Sequence, residues 1–536
     1  MPWRVLMETE SFVIILFLLA SVVAVYARHL RMPYTVALVL VGLGLGAAHW
    51  FQAPQLTQNM LFLIFLPGLV FEAAFHIDFD ELWRDKAAVL GLAVPGVAAS
   101  IGITAVLVVF ASTAIHHLPD IGWLLALAFG AAVAATDPIS VVALFKELGA
   151  PRRLTLLIEG ESLLNDGTAI VLFTMVLTLI MGKVLSPAGM VVEFGAVVGG
   201  GLFIGGIVGL LISQIIKRVD DAMVDITLTT VAAYGSFLLA YKLGYSGVIS
   251  TATAGLICGN YGARTGMSAA SRVAAETFWG YVGFALNSLV FLLLGLEIQL
   301  DTLLNIWPMI IVAYLAITVA RLLVVFGAYG LLAISAKRIP RSWAVVLTWG
   351  GLRGALSMVL VLSLPADLPL RDLIINMVFG VVLLTILLQG LSMTPLARQL
   401  GILGRREAIK AYEIVRTRLQ LAQDVLEQIG QMRKNSHIDS RALDRMEAVY
   451  SARIEALNAE FSRSSFDSAT RYSEELTQLQ RRMLLFEKKQ ALEARRYGVI
   501  GASAFDELSA EIDARILALE STSGQCADPA QEEPRV

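Results

Sequence analysis

Apolar residues run along most of the chain in stretches about as long as a lipid bilayer is thick, separated by short polar connections. A hydrocarbon core of roughly 30 Å takes about 20 residues of helix. Stretches of that kind occur at 11–27, 33–50, 59–77, 87–112, 121–147, 151–181, 190–216, 223–241, 246–262, 273–298, 305–334, 341–365 and 372–397. They predict thirteen transmembrane helices. The first does not read as a signal peptide: its start is acidic at Glu8 and Glu10, and Arg28 and Arg31 follow the apolar run. From about 404 onward the pattern changes to mixed charge with helical periodicity. It predicts helices over Glu407–Met432, Arg441–Phe461, Arg471–Arg496 and Phe505–Glu520, and a disordered end over Ser521–Val536. Leu476, Leu479, Met483 and Phe486 are expected to form one buried stripe on the third of these.

Charge orients the membrane part. Alternate connections carry fourteen Lys and Arg: Arg28 and Arg31, Arg84 and Lys86, Lys146 with Arg152 and Arg153, Lys217 and Arg218, Arg264 and Arg272, and Lys337 with Arg338 and Arg341. The opposite connections carry only Lys183, Lys242 and Arg371. The positive-inside rule then places the first group in the cytoplasm, the N-terminus outside and the C-terminal tail inside. Residues 1–397 hold 20 basic and 22 acidic side chains, whereas the much shorter 398–536 holds 21 and 22, so the chain divides into a membrane domain and a soluble helical tail. With 57% hydrophobic and 16% charged residues, a single water-soluble domain is excluded. The near balance of 41 basic and 44 acidic residues leaves no electrostatic case for a nucleic-acid partner. Two distant cysteines, Cys258 and Cys526, support neither a disulfide framework nor a thiolate metal site.

An ionised side chain at mid-membrane costs about 2.5–3.5 kcal/mol even on the lenient insertion scale, so it marks a function or a partner. Glu72, Asp137, Asp166, Arg321 and Arg353 stand well inside their stretches, with Glu161 just before Asp166. Glu72 and Glu161 have a second reading, as halves of structural ion pairs. Ser162 and Asp166 lie four apart on one helical stripe, with Glu161 and Asn165 on the next, so one helix offers two polar faces. Carboxylate and hydroxyl oxygens together suit a hard, poorly polarising cation. Thr136-Asp137-Pro138 interrupts the fifth stretch, where the proline leaves the Ala134 carbonyl without its helical partner. Gly350-Gly351-Leu352-Arg353-Gly354 invites unwinding in the twelfth.

The fifth and twelfth stretches cross in opposite directions, the relation an inverted repeat of stretches 2–6 and 9–13 requires, and Asp137 and Arg353 have the signs that balance two crossing breaks. Gly201, Gly205 and Gly209 read as a close-packing face. Glu159, Glu276, Glu297, Asp225 and Asp301 lie nearer helix ends, where the side chain snorkels to the interface, and His76 is expected there too. No His/Cys/Asp spacing indicates zinc.

Phe65-Leu-Pro-Gly-Leu-Val-Phe-Glu72, Ala135-Thr-Asp-Pro138, Gly160-Glu-Ser-Leu-Leu-Asn-Asp166, Ala320-Arg321 and Gly350-Gly-Leu-Arg-Gly354 together resemble the sodium/proton exchanger branch of the cation:proton antiporters, which includes NhaP-type bacterial and archaeal proteins and animal exchangers. The resemblance spans residues 10–400 and implies an all-α polytopic membrane protein of the NhaA-like antiporter fold. It also implies a homodimer in a plasma membrane and no cofactor. By the same resemblance Asp166 is the carboxylate that binds cation and proton, with Asn165 beside it, Ser162 and Glu72 as further ligands and Thr136 offering its main-chain oxygen. Glu161 would pair with Arg321, and Asp137 and Arg353 would balance the crossing half-helices. The implied activity is exchange of a monovalent cation, Na+ ahead of Li+ or K+, for H+. Asn165 in place of a second acid points to one cation per proton without net charge movement. The rival readings are K+/H+ exchange on the same fold and an ion-gated channel or sensor signalling through the tail.

Overall fold

Helix fills the apolar stretches, and no strand occurs among the described residues. The computed structural model describes residues 9–515 apart from 31, 49–60, 116–118, 184–185, 220, 299, 333–338, 403–404, 436–439, 464–467, 497–500, 502–503, 506–507, 510 and 513–514. In chain order the longer helices are α1 Thr9–Leu30, α2 Tyr34–Ala47, α3 Leu66–His76, α4 Lys86–Ala114, α5 Trp123–Ala132, α6 Ile139–Leu148, α7 Arg152–Ile180, α8 Pro187–Ile216, α9 Ala222–Lys242, α10 Gly247–Ile257, α11 Ala269–Glu297, α12 Trp307–Leu332, α13 Arg341–Trp349, α14 Ala355–Leu362 and α15 Arg371–Gln399, with short helical turns such as Phe79–Arg84 and Leu300–Asn305 between them. Seven of these, α4, α7, α8, α9, α11, α12 and α15, are individually long and apolar enough to cross a membrane among the described residues. Arg31, Lys337, Arg338, most of Phe505–Glu520 and all of Ser521–Val536, which entered the sequence reading, lie outside the described residues.

Two prolines in apolar helices have different outcomes. Pro95 sits in a widened π-type turn, Leu92–Gly96, and α4 continues through it. Pro138 ends the helical run: α5 stops at Ala132 and α6 starts at Ile139. The glycine-rich run does the same between α13 and α14, from Gly350 to Gly354. The two breaks meet, because the Asp137 N–H donates to the Leu352 carbonyl at 2.7 Å. Around them lies the largest apolar cluster, built from α5, α12, α14 and α15 with residues such as Phe129, Ile317, Met358 and Val378.

On the other side α2 runs along α11, α8 along α10, and α10 along α3. The α8–α10 contact is a small-residue face, since a Cβ on Gly205 would run into the Ser250 carbonyl. α9 is flanked by α8, α10 and α11, and Asp225 in its first turn is fully buried rather than interfacial.

The chain splits into two units, Met1–Leu403 and Gly404–Val536. In the second, α16 Arg405–Asn435 and α17 Ser440–Arg463 pair, with Arg433 bridging Asp444 and Glu447 at 2.6 Å each, and α18 spans Ser468–Arg496. The expected stripe on α18 is not buried where it is described: Leu479, Met483 and Phe486 are more than half exposed and Leu484 is buried instead, while the Leu476 side chain lies outside the description. Leu484 stands about 140° round the helix from Leu479, so the helix turns its other side inward.

Candidate functional site

α7 carries most of the site and sets two faces at right angles to each other's chemistry. On one, Glu161 is almost fully buried and accepts from both terminal nitrogens of Arg321 on α12, at 2.5 and 2.7 Å. Arg321 also donates to the Leu347 carbonyl at 3.0 Å, in the last turn before the α13–α14 break. A bidentate guanidinium satisfies the carboxylate completely and ties α7, α12 and α13 together.

On the neighbouring face, Ser162 Oγ donates to the Thr136 carbonyl at 2.5 Å. Asn165 Nδ2 donates to Thr136 Oγ1 at 3.1 Å. The α5–α6 break is thereby pinned to α7 through Thr136, whose carbonyl and hydroxyl are both engaged. Beside them the Asp166 Oδ1 is buried and has no hydrogen-bond partner, and the Asn165 Oδ1 next to it has none either. A buried carboxylate oxygen without a partner costs several kcal/mol relative to water, roughly, unless a proton or cation completes it.

Asp166, Ser162, Thr136 and Glu72 line one cavity of about 390 Å3. Asn165 does not line it; the structure places that side chain behind the wall, where it holds Thr136. Glu72, on α3, faces the cavity across from α7 and lies 3.3 Å from His76 Nδ1, one turn along. The far end of the cavity is lined by Lys146, whose side chain is 61% exposed, so the cavity opens at that end. Glu159 and His76, read from sequence as interfacial, also line it. Sequence reading missed Tyr34 and Thr35 at the start of α2 and Asn287 in α11, which complete the wall opposite α7. Tyr34 hydrogen-bonds Ser288, and Thr35 bonds Ser140 on α6. The polar pair Asn287-Ser288 inside an apolar run was the available signal.

The breaks exchange groups. Arg353 donates to the carbonyl of Ala134 at 2.6 Å, the oxygen that Pro138 leaves without its helical partner, and to that of Ala135 at 3.2 Å, whose helical partner, the Ile139 N–H, is taken by Asp137. Asp137 Oδ1 accepts from the Ile139 N–H at 3.1 Å, capping α6. The same carboxylate lies over Gly354, where a Cβ would collide with it, so it also faces the N-terminal end of α14. A cation thus sits at helix carbonyl ends and an anion at helix amide ends, as the peptide dipoles require.

The family model described as "Sodium/hydrogen exchanger, transmembrane" matches residues 14–399. The chain belongs to the sodium/hydrogen exchanger family. The Na(+)/H(+) antiporter ApNhaP of Aphanothece halophytica is 36% identical over 461 residues, which is 85% of this chain and 87% of that protein. The Na(+)/H(+) antiporter NhaG of Bacillus atrophaeus is 33% identical over 508 residues, 92% of this chain and 93% of its own. The solved structure of the sodium proton antiporter MjNhaP1 from Methanocaldococcus jannaschii at pH 8 matches with a TM-score of 0.58 and 21% identity, covering 72% of this chain and all of that one, so the fold is shared. In this exchanger-family chain the glutamate–arginine pair, the paired breaks and the open carboxylate therefore occur together on one scaffold.

Proposed function

We propose that the protein exchanges Na+ for H+ by alternating access, with Asp166 as the carboxylate for which the two ions compete. The observation that carries this reading is the Asp166 oxygen left without a partner at the wall of a water-accessible cavity, beside the Ser162 hydroxyl and the Thr136 main chain. Ser162 spends its hydrogen on Thr136, so its lone pairs remain for a cation. Glu72 faces the same space and adds a second carboxylate within reach of a hydrated ion. Asn165 acts by holding Thr136, and Glu161 with Arg321 by fixing α7.

Deprotonated and empty, Asp166 is an uncompensated charge in a closed low-dielectric site, which resists reorientation. Protonated or cation-bound, it is neutralised, and the carrier turns over. Each turn carries one ion or the other, and antiport follows. Asn165 cannot titrate, so one charge moves in each direction and the cycle is electroneutral. The donors would also accept Li+ or K+, since all are hard oxygens.

Residues 1–397 form the antiporter domain, with thirteen crossings, inverted repeats of stretches 2–6 and 9–13, and the N-terminus outside. Residues 398–536 form a cytoplasmic tail, and the working unit is a homodimer in the plasma membrane. Lys146, at the mouth of the cavity, belongs to the basic connections assigned to the cytoplasm, so the vestibule is the inward one. Cation-dependent proton flux in inverted vesicles, scanned over Na+, Li+ and K+, tests the exchange. A rate that follows a clamped membrane potential in proteoliposomes overturns the one-for-one stoichiometry.

A further inference from the structure

Four carboxylates line the vestibule, Glu72, Asp137, Glu159 and Asp166, and Lys146 is the sole lysine or arginine among the described residues doing so. Glu159, Ser162 and Asp166 follow one another at spacings of three and four, one stripe of α7 running from the mouth to the site. At 1.5 Å per residue Glu159 stands about 10 Å from Asp166 along the helix axis. Lys146 reaches over from α6 and places its Nζ 2.7 Å from Glu159 Oε1. His76 Nδ1 lies 2.9 Å from the Glu72 main-chain carbonyl and 3.3 Å from Glu72 Oε1.

We propose that Lys146 is a tethered counter-cation: by occupying Glu159 at the mouth of the vestibule, it sets how readily the transported cation reaches Asp166. The inference rests on the antiport reading and adds a positioning residue to it. A fold-holding role explains the contact poorly. With Lys146 61% and Glu159 22% exposed, the pair stands where the cavity reaches the surface and contributes about 0–1 kcal/mol, and Glu159 keeps some contact with water when the ammonium is lost. Its electrostatic effect is larger, because a cleft with low-dielectric walls focuses the field of its few charges on ions entering it. While the ammonium sits on Glu159, that carboxylate cannot hold an incoming cation, which must displace the lysine or pass it. Removing the lysine uncovers a cation-attracting acid on the entry path. Removing the acid instead leaves a free ammonium facing the entering ion. The two changes therefore act in opposite directions on cation affinity.

The test uses the full chain in proteoliposomes, with the KM for Na+ and Vmax read from sodium-driven proton flux. Lys146→Gln lowers KM about three- to tenfold and Glu159→Gln raises it similarly, the size expected of one unit charge at roughly 10 Å across a partly hydrated path. The double variant returns toward the parent value, and Lys146→Arg keeps it. The Lys146→Gln effect shrinks as choline chloride is added, through screening. Half-saturation of the sodium-induced rise in Tm of the purified protein gives the same ordering without transport, so a slow variant is still informative. Single variants that shift KM in the same direction, or leave it unmoved while the parent protein exchanges and Asp166→Asn does not, overturn the role of Lys146 and leave antiport intact. A parent protein with no sodium-driven proton flux, or an Asp166→Asn protein that still exchanges, overturns the antiport reading instead.

Discussion

Glu161 and Asp166 are acids five residues apart on one helix, and they have been given opposite surroundings. Glu161 has both oxygens filled by Arg321, while Asp166 keeps a buried oxygen with no partner. Since a folded chain ordinarily satisfies its buried polar atoms, the difference separates what holds the helix from what the helix is for. The filled acid joins α7 to α12 and to the end of α13. The unfilled one lines the vestibule, and in the proposed exchange an ion from solution supplies the partner it lacks.

Exchanging amide for acid at the two positions should therefore give opposite phenotypes. Asp166→Asn is expected to reduce cation-dependent proton flux to the background of protein-free vesicles, with Tm in detergent unchanged or higher, since an unpaired charge has been removed. Flux above background in this variant breaks the assignment. Glu161→Gln is expected to lose folded protein, because Arg321 then stays buried without its counter-ion, a defect of about 3–5 kcal/mol. Size-exclusion profiles and Tm read it. Pairing Glu161→Gln with Arg321→Met should recover much of that loss, because neither charge is stranded.

This contrast was only half legible in the sequence. Charges inside apolar runs stood out, and Asp137, Glu161, Asp166, Arg321 and Arg353 all belong to the inner polar assembly. Glu159, Lys146 and His76 did not, because distance from the end of an apolar stretch is a poor measure of depth once a water-accessible cavity carries the interface inward. Asn165 was assigned toward the ion by its place beside Asp166; its Nδ2 is given to Thr136 and its Oδ1 has no hydrogen-bond partner. Tyr34, Thr35 and Asn287 carried no charge to mark them. On α18 the four apolar residues at helical spacing marked a face but not which way the helix turns it, as the exposure of Leu479, Met483 and Phe486 shows.

The contrast extends to the breaks, where protein groups rather than ions do the filling. Arg353→Met should leave the Ala134 and Ala135 carbonyls unpaired, a loss of roughly 1.5–3 kcal/mol for hydrogen bonds to a charged group. Slower exchange and a lower Tm together are expected, unlike either acid variant. Ser162→Ala is milder. It removes one of the proposed cation ligands and one bond to Thr136, and a net bond of about 0.5–1.5 kcal/mol translates to a two- to twelvefold rise in the KM for Na+. An unchanged KM would remove Ser162 from the ion's ligands.

The smallest effect is expected at Asp78, in the connection between α3 and α4, which sharpens the comparison because it is a satisfied acid that is partly open to water. Its Oδ1 caps the following turn through the N–H groups of Asp80 at 3.0 Å and Glu81 at 3.2 Å, and its Oδ2 lies 2.6 Å from Arg264. Burial works to raise this carboxyl, but the Glu81 N–H, the Arg264 guanidinium and the Asp80 N–H outweigh it and hold it below the usual carboxylate range. A depressed acid stabilises the folded state at pH values above its unfolded-state pKa, and loses that contribution as pH falls through its folded one. Asp78→Asn keeps the cap, since asparagine accepts the same amide bonds, and deletes only the charge. At neutral pH the variant should therefore melt slightly lower, by less than about 1 kcal/mol for a pair so near the surface. The gap between variant and parent should close as the pH drops below 4, about the ordinary aspartate pKa. A gap that stays constant through that range would mean the charge of Asp78 contributes nothing, with Arg264 held by Asp80 instead.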